Sequence, residues 1–416
     1  MSPVRRAPLF TLFAATTVSL TGTAVSLVAV PWYVLVTTGS PVATGLVSAV
    51  MVLSEVLGGL FGGAVVDRVG PRWGSVLTDL GSGVAVAGIP ALHATVGVAY
   101  WQVVALVAVR ALFDSPGLSA RVSLIPSLAR AAEFDLVQAN SIWHSCFRGA
   151  TLVGAPLAGL LIASAGPADL LWLNAAGFWC SALLVAAGVP ATVAGRPEAS
   201  GGTYFTDVLD GIRALFADPV VMSLALTVAV VNFLNAPLNG VLFPVYARQG
   251  HGGSAGLGVL LAATAAGQVV GLLLFGALAR RLPRRPAYIV SLLASGLLFL
   301  GLAAAPNLPV AVVLLVAASL LFGPINPISI TVIHERVPAR LHGRIIGATR
   351  SVAFAAAPLG ALIGGAATQV AGLETALLVF GAVGVATAAS AWFNPAFRRL
   401  EREPAPVEVT APATGK

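Results

Sequence analysis

The stretch Gly62-Gly-Ala-Val-Val-Asp-Arg-Val-Gly-Pro-Arg-Trp73 is a short charged break between two long apolar runs. The first run, roughly residues 42–66, ends at Asp67-Arg68. A tight Gly70-Pro71 turn and Arg72 follow, and the chain then becomes apolar again. This order is typical of two membrane helices joined by a short cytoplasmic turn. Glycines at 62 and 63 let a neighbouring helix approach closely, and the charged side chains can pair with one another or with the end of another helix.

The composition of the chain excludes a soluble domain. Apolar residues make up 57% of the 416 residues, charged residues make up 9%, and the mean hydropathy is +0.93, which is more apolar surface than a soluble fold tolerates. A membrane span needs about 20 apolar residues, and in lipid each span must close its own backbone hydrogen bonds as a helix. The sequence therefore predicts an all-α polytopic membrane protein with twelve transmembrane helices, near residues 9–36, 42–66, 74–94, 98–119, 138–164, 170–190, 219–247, 255–279, 286–305, 308–333, 345–370 and 374–394.

Basic residues predict the orientation. They concentrate at the N-terminus, in every second loop and at the C-terminus, whereas the intervening loops hold only Arg248. The positive-inside rule then places both termini in the cytoplasm. Twenty-two Arg against one Lys, with abundant Ala and Gly, indicate a GC-rich bacterial genome, so we expect the protein in the inner (plasma) membrane of a bacterium. This topology accounts for the net charge of +7, so we predict no nucleic-acid partner. The residues counted are Arg5, Arg6, Arg68, Arg72, Arg121, Arg130, Arg196, Arg213, Arg280, Arg281, Arg284, Arg285, Arg336, Arg340, Arg344, Arg398, Arg399 and Arg402.

The chain repeats itself at an offset of roughly 200–215 residues, which indicates two related halves. Gly63-Ala-Val-Val-Asp-Arg68 corresponds to Gly276-Ala-Leu-Ala-Arg-Arg281, and Gly154-Ala-Pro-Leu157 corresponds to Ala356-Ala-Pro-Leu359. We predict two pseudo-symmetric six-helix bundles joined by a cytoplasmic linker with a short amphipathic helix, followed by a disordered tail. The predicted boundaries are 1–191 and 219–395 for the bundles, 192–218 for the linker and 396–416 for the tail.

The charged break also carries a family signature. Gly63, Asp67, Arg68, Gly70 and Arg72 occupy positions of the loop pattern G-x-x-x-D-R-x-G-R-R, and the whole chain resembles a major facilitator superfamily transporter. The resemblance implies the major facilitator fold, in which two halves rock around a substrate site near the bilayer midplane. It also implies that this loop gates the cycle, with Asp67 contacting the opposite half at the N-terminus of the eleventh helix and locking the outward-facing state.

Three further stretches resemble the branch that contains macrolide exporters and the enterobactin exporter, which are drug:proton antiporters. They are Ala29-Val-Pro-Trp-Tyr-Val34, Phe113-Asp-Ser-Pro116 and Glu335-Arg-Val-Pro-Ala-Arg-Leu-His-Gly-Arg344. The chain departs from the branch at Thr23, where an acidic residue is common, and its fifth-helix antiporter pattern contains an insertion, Gly154-Ala-Pro-Leu-Ala-Gly159. Both departures weaken the prediction of proton coupling.

The resemblance predicts a secondary active transporter, most directly a proton-coupled exporter of amphipathic drugs, antibiotics or natural products. Its partners would be the small-molecule substrate, protons and the lipid bilayer, and the protein would be a monomer. Uptake or facilitated transport of a polar metabolite, and lipid or lysolipid transport on the same fold, stay open. We predict no enzyme activity, cofactor or metal site, because the chain contains neither an H-E-x-x-H pattern nor a phosphate-binding loop.

Charged residues inside spans are costly and therefore candidates for function. From the helical rise, Glu55, Arg110 and Arg148 lie roughly 15–18 Å inside the membrane, and Asp114 follows Arg110 at i+4, where the two can pair. These four residues form the predicted proton-coupling network. Glu55 either exchanges protons or is a permanently ionised partner of Arg148 or Arg110 that holds helices together, and both interpretations stay open.

A polar stripe predicts the substrate cavity. Asn232, Asn235 and Asn239 recur at 3–4 spacing on the seventh helix, which Pro237 and Pro244 interrupt. The stripe either faces a substrate or makes hydrogen bonds between helices. The break Gly323-Pro-Ile-Asn-Pro327 in the tenth helix predicts a gate. The predicted cavity residues are Asn232, Asn235, Asn239, His144, Gln268 and Asn326.

Overall fold

The computed structural model describes residues 6–190, 218–279, 281–337 and 342–401. The described chain crosses the molecule twelve times as helices and contains no strand within those ranges. Within the described ranges, eleven separate helices are long and apolar enough to span a membrane, because the last two crossings form one stretch, His342–Phe393, bent at Gly372. The predicted linker helix lies outside the described residues. The crossings are α1 (Ala7–Thr38), α2 (Pro41–Val69), α3 (Pro71–Thr95), α4 (Tyr100–Ala131), α5 (Leu136–Ala165), α6 (Pro167–Gly188), α7 (Pro219–Arg248), α8 (Gly253–Leu278), α9 (Arg284–Ala304), α10 (Leu308–Arg336), α11 (342–371) and α12 (373–393).

Short turns join successive helices into antiparallel pairs. Gly166 (φ 88°) and Gly372 (φ 84°) reverse the chain almost without a loop, because glycine adopts positive φ at little cost. Prolines at the first helical position then start the next helix, as at Pro41 and Pro167. We call the side where α1 begins and α12 ends the termini face, and the opposite side the far face.

The buried cores show how the two halves, α1–α6 and α7–α12, are arranged. Toward the far face, one large apolar cluster contains residues of both halves, for example Trp32 and Phe178 with Phe243 and Phe380. Toward the termini face, the halves have separate clusters, one around Leu124 and others around residues such as Tyr288. The halves are therefore packed together at the far face and parted at the termini face.

Backbone contacts between glycines close the far face. Gly45 of α2 packs on Gly365 of α11, and Gly159 of α5 packs on Gly258 of α8. In the closer pair, a Cβ atom on Gly159 would lie 2.2 Å from the Gly258 Cα. Polar contacts add to the seal, because Arg248 Nη1 donates to the Leu35 carbonyl at 2.7 Å. Small residues allow this approach where larger side chains would hold the helices apart.

The beginning of the predicted tail is ordered. Pro395–Arg398 forms a helical turn, and Phe397 is 2% exposed against the Tyr288 ring. The Glu401 carboxylate accepts a hydrogen bond from the Arg285 backbone N–H at 3.2 Å. Residues 395–401 thus belong to the second half, contrary to the prediction that disorder starts at 396, because an aromatic side chain finds an apolar site there.

Candidate substrate cavity and charge network

A cavity of about 450 Å³ lies between the halves. Its walls are mostly apolar and come from α1, α2, α5 and α7–α11, for example Leu27, Phe299 and Phe354. Glu55 is the only charged residue among the described residues that line it. The remaining polar lining side chains are Ser48, Asn232, Asn235, Asn239, Thr264, Gln268, Ser295 and Ser319.

The polar stripe of α7 faces this cavity, as its spacing indicated. Pro237 lacks an N–H and interrupts the hydrogen-bond ladder, and the helix continues through a π-helical turn, Leu238–Leu242. The Asn232 side chain donates to the Ala353 carbonyl of α11 at 3.1 Å, which is an interhelical contact. The Asn239 side chain donates to the Asn235 carbonyl at 3.0 Å. The stripe therefore does both things that the sequence left open: it faces the cavity, and it makes a hydrogen bond between helices.

Two predicted cavity residues do not line the cavity. His144 and Asn326 are both exposed and lie outside its lining. The residue of α5 that does line it is Ala155, three turns beyond His144. The break in α10 does occur, since the helix divides into Leu308–Phe322 and Ile325–Arg336, but Phe322 rather than Asn326 reaches the cavity. Helical spacing alone could not show at which level along α5 and α10 the halves enclose a space.

The predicted pair of Arg110 and Asp114 forms within α4. Arg110 Nη2 lies 2.6 Å from Asp114 Oδ2, and the Arg110 side chain is 1% exposed. Its guanidinium also lies over the Phe178 ring, at 5.9 Å from the centroid. Thr23 on α1 donates to Asp114 Oδ1 at 3.4 Å. Thr23 stands at the position where the exporter branch commonly has an acidic residue. In this protein it instead contacts an acidic residue of α4, Asp114.

Glu55 lies near this pair and is open to the cavity. Arg110 and Asp114 are close enough to act on it electrostatically. Glu55 forms no ion pair with a residue that the structure describes, so the interpretation of it as a directly paired staple does not apply in this conformation.

Arg148 does not join these charges. It is exposed on α5 and forms no ion pair within the described part of the chain. The predicted meeting of three charges is therefore wrong for Arg148. Depth along a helix does not specify the direction in which a side chain points.

A second buried ion pair, which the sequence does not predict, joins Asp79 of α3 to Arg121 of α4. The predicted spans leave Arg121 in a loop, but α4 continues to Ala131 and buries it. The Asp79 carboxylate neutralises Arg121, which lets the charge lie inside the bundle. Asp79 could have been found from the sequence, because it is an acid inside the predicted span 74–94.

The charged break at residues 62–73, which carries the family's loop pattern, contains the turn between α2 and α3. Gly62 contacts α4, where a Cβ atom would lie 2.0 Å from Pro116 Cγ, so close helix approach is present at this position. Arg72 Nη2 donates to the Ala186 carbonyl in the last turn of α6 at 2.6 Å. Gly70 provides the turn with φ 86°, and Arg68 is exposed. The side chain of Asp67 and the surroundings of Gly63 lie outside the described residues, so the gating role stays a prediction.

Comparison with known proteins agrees with this architecture. The chain is 34% identical over 404 residues to the multidrug efflux pump Tap of Mycobacterium tuberculosis, covering 96% of both chains. It is 27% identical to the enterobactin exporter EntS of Salmonella typhi, covering 81% of this chain and 80% of that one. A solved structure of a nucleoside transporter NupG variant superposes with a TM-score of 0.78 at 14% identity, covering 93% of this chain and 100% of that one, which supports the fold alone. The profile of the Major Facilitator Superfamily matches residues 12–257 and 226–415. The chain therefore belongs to the Major Facilitator Superfamily.

Proposed function

We propose that this protein is a proton-coupled exporter whose preferred substrates are cationic amphipathic small molecules. The names of the relatives Tap and EntS both describe export. The cavity supplies the preference for cations, because Glu55 is its only charged residue among those described and its walls are largely apolar. An apolar body with one positive group matches such a site in both shape and charge.

We propose that the termini face is cytoplasmic, which makes this conformation inward-facing. Basic residues lie at the termini-face ends of the helices, for example Arg68, Arg130 and Arg336, whereas Arg248 is the basic residue at the far-face end of α7. The positive-inside rule assigns the basic side to the cytoplasm. The cavity would then receive its substrate from the cytoplasm or the inner leaflet.

The coupling proposal rests on the position of Glu55 in the cavity wall. A cavity-facing carboxylate without an ion pair can hold either a proton or the positive group of a substrate, but it does not hold both well. Arrival of the cation would displace the proton, and reprotonation from the outside would release the cation. The Arg110–Asp114 pair favours this exchange, because Arg110 can compensate Glu55 when neither proton nor substrate is bound.

The amides of α7 and α8 would set the orientation of the substrate. Asn235 and Gln268 both line the cavity, on α7 and α8, and can hydrogen-bond to polar groups of a ligand. Each such bond contributes about 1 kcal/mol, so these residues tune selectivity while Glu55 supplies the charge requirement.

The test is accumulation of three probes, ethidium, erythromycin and a catecholate siderophore, in an efflux-deficient bacterial host with and without an uncoupler. Glu55→Gln is compared with wild type and with Glu374→Gln, a matched change of an exposed acid that does not line the cavity. We expect uncoupler-sensitive exclusion of ethidium by wild type and by Glu374→Gln, and its loss in Glu55→Gln.

Other outcomes would overturn parts of the proposal. Exclusion that persists at matched expression of Glu55→Gln would show that another residue carries the proton. Higher accumulation with wild type than with the empty host would mean uptake. Activity only toward lysolipid, with none of the three probes excluded, would favour a lipid transporter.

A further inference from the structure

The buried pair of Asp79 and Arg121 lies outside the cavity, and nothing in the proposed export cycle uses it. Both side chains are almost fully buried. Asp79 Oδ1 binds Arg121 Nη2 and also accepts a hydrogen bond from Ser19 at 2.9 Å. Arg121 Nε donates to Ser75 Oγ at 3.0 Å. Residues of α1, α3 and α4 thus hold this pair in place.

One oxygen of this pair has no hydrogen-bond partner among the residues that the structure describes. Asp79 Oδ2 is buried and accepts no hydrogen bond from the described residues. An ionised oxygen left without a donor costs about 1–3 kcal/mol or more. Because Oδ1 receives both contacts, Oδ2 is an oxygen that a proton could occupy without breaking the contact to Ser19.

Helix α1 links this pair to the Arg110–Asp114 pair. Ser19 binds Asp79, and Thr23, one turn farther along α1, binds Asp114. Four residues rise about 6 Å along a helix, so the two carboxylates contact the same face of α1 at neighbouring levels. Asp79 and Arg121 are also close enough to act electrostatically on Asp114.

The four charges therefore form one network, which we call the N-half charge network: Arg110, Asp114, Asp79 and Arg121. Along α4, Arg121 lies about 10 Å nearer the termini face than Asp114. The network therefore leads from the level of Glu55 toward the termini face, behind the cavity wall. The other charged residues on the helices packed against α3 are Glu55, Asp67 and Arg68 on α2, Arg130 on α4, Asp169 on α6 and Arg6 at the start of α1.

We propose that Asp79 is a further proton-carrying residue, which exchanges a proton with Asp114 so that protons travel inside the first half on a route separate from the substrate. This inference rests on the proposed proton coupling. When the proton leaves the Asp114 carboxyl group for the Asp79 carboxylate, Asp114 becomes ionised beside Arg110 and Asp79 becomes neutral beside Arg121. The total charge of the network does not change, and each carboxylate accepts one hydrogen bond from α1, Asp79 from Ser19 and Asp114 from Thr23.

A purely structural role makes a different prediction. If the pair only held α3 to α4, removing one charge would leave the other buried and unpaired, and removing both would restore the protein. Under the relay role, the double neutral variant also restores folding, but it cannot carry a proton. The variant Asp79→Asn/Arg121→Gln therefore separates the two roles.

The experiment uses the full-length protein in proteoliposomes with ethidium as the probe. Two rates are measured: ethidium transport driven by a pH gradient, and ethidium exchange without a gradient, which needs no net proton movement. We expect the double variant to exchange ethidium at the wild-type rate and to lose gradient-driven transport by about 100-fold, the low end of the effect of removing an acid–base group. Glu374→Gln, the control, should retain both rates.

Gradient-driven transport retained by the double variant would overturn this inference and leave the coupling by Glu55 intact. Loss of both rates in a correctly folded double variant would also overturn it, in favour of a structural role. Wild type that exchanges ethidium but ignores the gradient would refute the proposed coupling itself, before any variant is compared.

A milder variant keeps the test valid if the double variant does not fold. Ser19→Ala removes the hydroxyl that binds Asp79 and keeps the ion pair. We expect it to shift the pH dependence of gradient-driven transport while exchange is unchanged. An unshifted pH profile in Ser19→Ala would contradict a role for Asp79 in the proton route.

Discussion

Replacing Gly159 with alanine should open the far face. The new Cβ atom would lie 2.2 Å from the Gly258 Cα and 2.4 Å from the Gly258 backbone nitrogen, where ordinary contact begins at 3.4 Å. Both neighbours are backbone atoms, which cannot rotate away. Helices α5 and α8 must therefore separate by about 1 Å at this level, or the closed far face must give way. In a conformation with an open far face, we expect α5 and α8 to be apart, so that the methyl group meets no obstacle.

The magnitude follows from this difference between the two conformations. Overpacking of a close contact costs about 1–3 kcal/mol, and here only the conformation closed at the far face bears that cost. The equilibrium constant should shift by about 5- to 150-fold toward the far-open conformation. The higher helix propensity of alanine acts in both conformations and cancels.

Double electron–electron resonance, which measures the distance between two spin labels, would measure this shift in the conformational equilibrium. Suitable positions are Val96 and Val370, which are 79% and 87% exposed at far-face turns of opposite halves. The labels are attached to Val96→Cys and Val370→Cys after Cys146 and Cys180 are replaced by serine. Gly276→Ala is the matched control, because a Cβ at Gly276 meets no atom within 4 Å.

We expect Gly159→Ala to add a population at longer label distance, while Gly276→Ala leaves the distribution of the parent unchanged. An unchanged distribution in a folded Gly159→Ala protein would show that α5 and α8 do not need to touch at glycine for the far face to close. The inference that this contact selects the conformation would then be wrong.

Two further predictions concern contacts outside the cavity. Arg248→Gln removes the charged hydrogen bond from α7 to the Leu35 carbonyl. Because the Arg248 side chain is exposed, the loss should be about 1 kcal/mol, which corresponds to about a fivefold shift toward the far-open population. An unaltered distribution of spin-label distances would show that the bond does not contribute to closure. Phe397→Ala removes a buried ring from its site against Tyr288 and should destabilise the second half by about 3 kcal/mol, seen as a lower melting temperature in detergent. Equal melting of Phe397→Ala and wild type would mean that residues 395–401 do not contribute to the bundle.

Several parts of the site could be predicted from local sequence. The ion pair of Arg110 and Asp114 follows from i,i+4 spacing on one helix, and the break in α7 follows from Pro237. The cavity-facing position of Asn235 follows from the same periodicity. Each of these features depends on a single helix, whose geometry is known in advance.

The predictions that failed involve contacts between helices. The sequence places Arg148 at the same depth as Glu55 and Arg110, yet Arg148 is exposed and forms no ion pair with Glu55. The predicted fourth span ends at 119 and leaves Arg121 in a loop, whereas α4 continues to Ala131 and buries Arg121 against Asp79, 42 residues earlier in the chain. A single sequence gives depth along each helix but not rotation about its axis, and rotation decides which side chains meet.

The sequence by itself determined the class of the protein, a twelve-helix membrane protein in two related halves. The helices follow because a chain in lipid must form helices of about 20 apolar residues, and the halves follow from the internal sequence repeat. Only the tertiary structure decided that the far face is closed and that Glu55 is the one charge among the described residues of the cavity wall. It also decided that the buried Asp79–Arg121 pair lies beside the Arg110–Asp114 pair. The physical reason is that the apolar pattern stabilises each helix in lipid equally well in either conformation, whereas contacts as close as that of Gly159 with Gly258 exist only when particular helices meet.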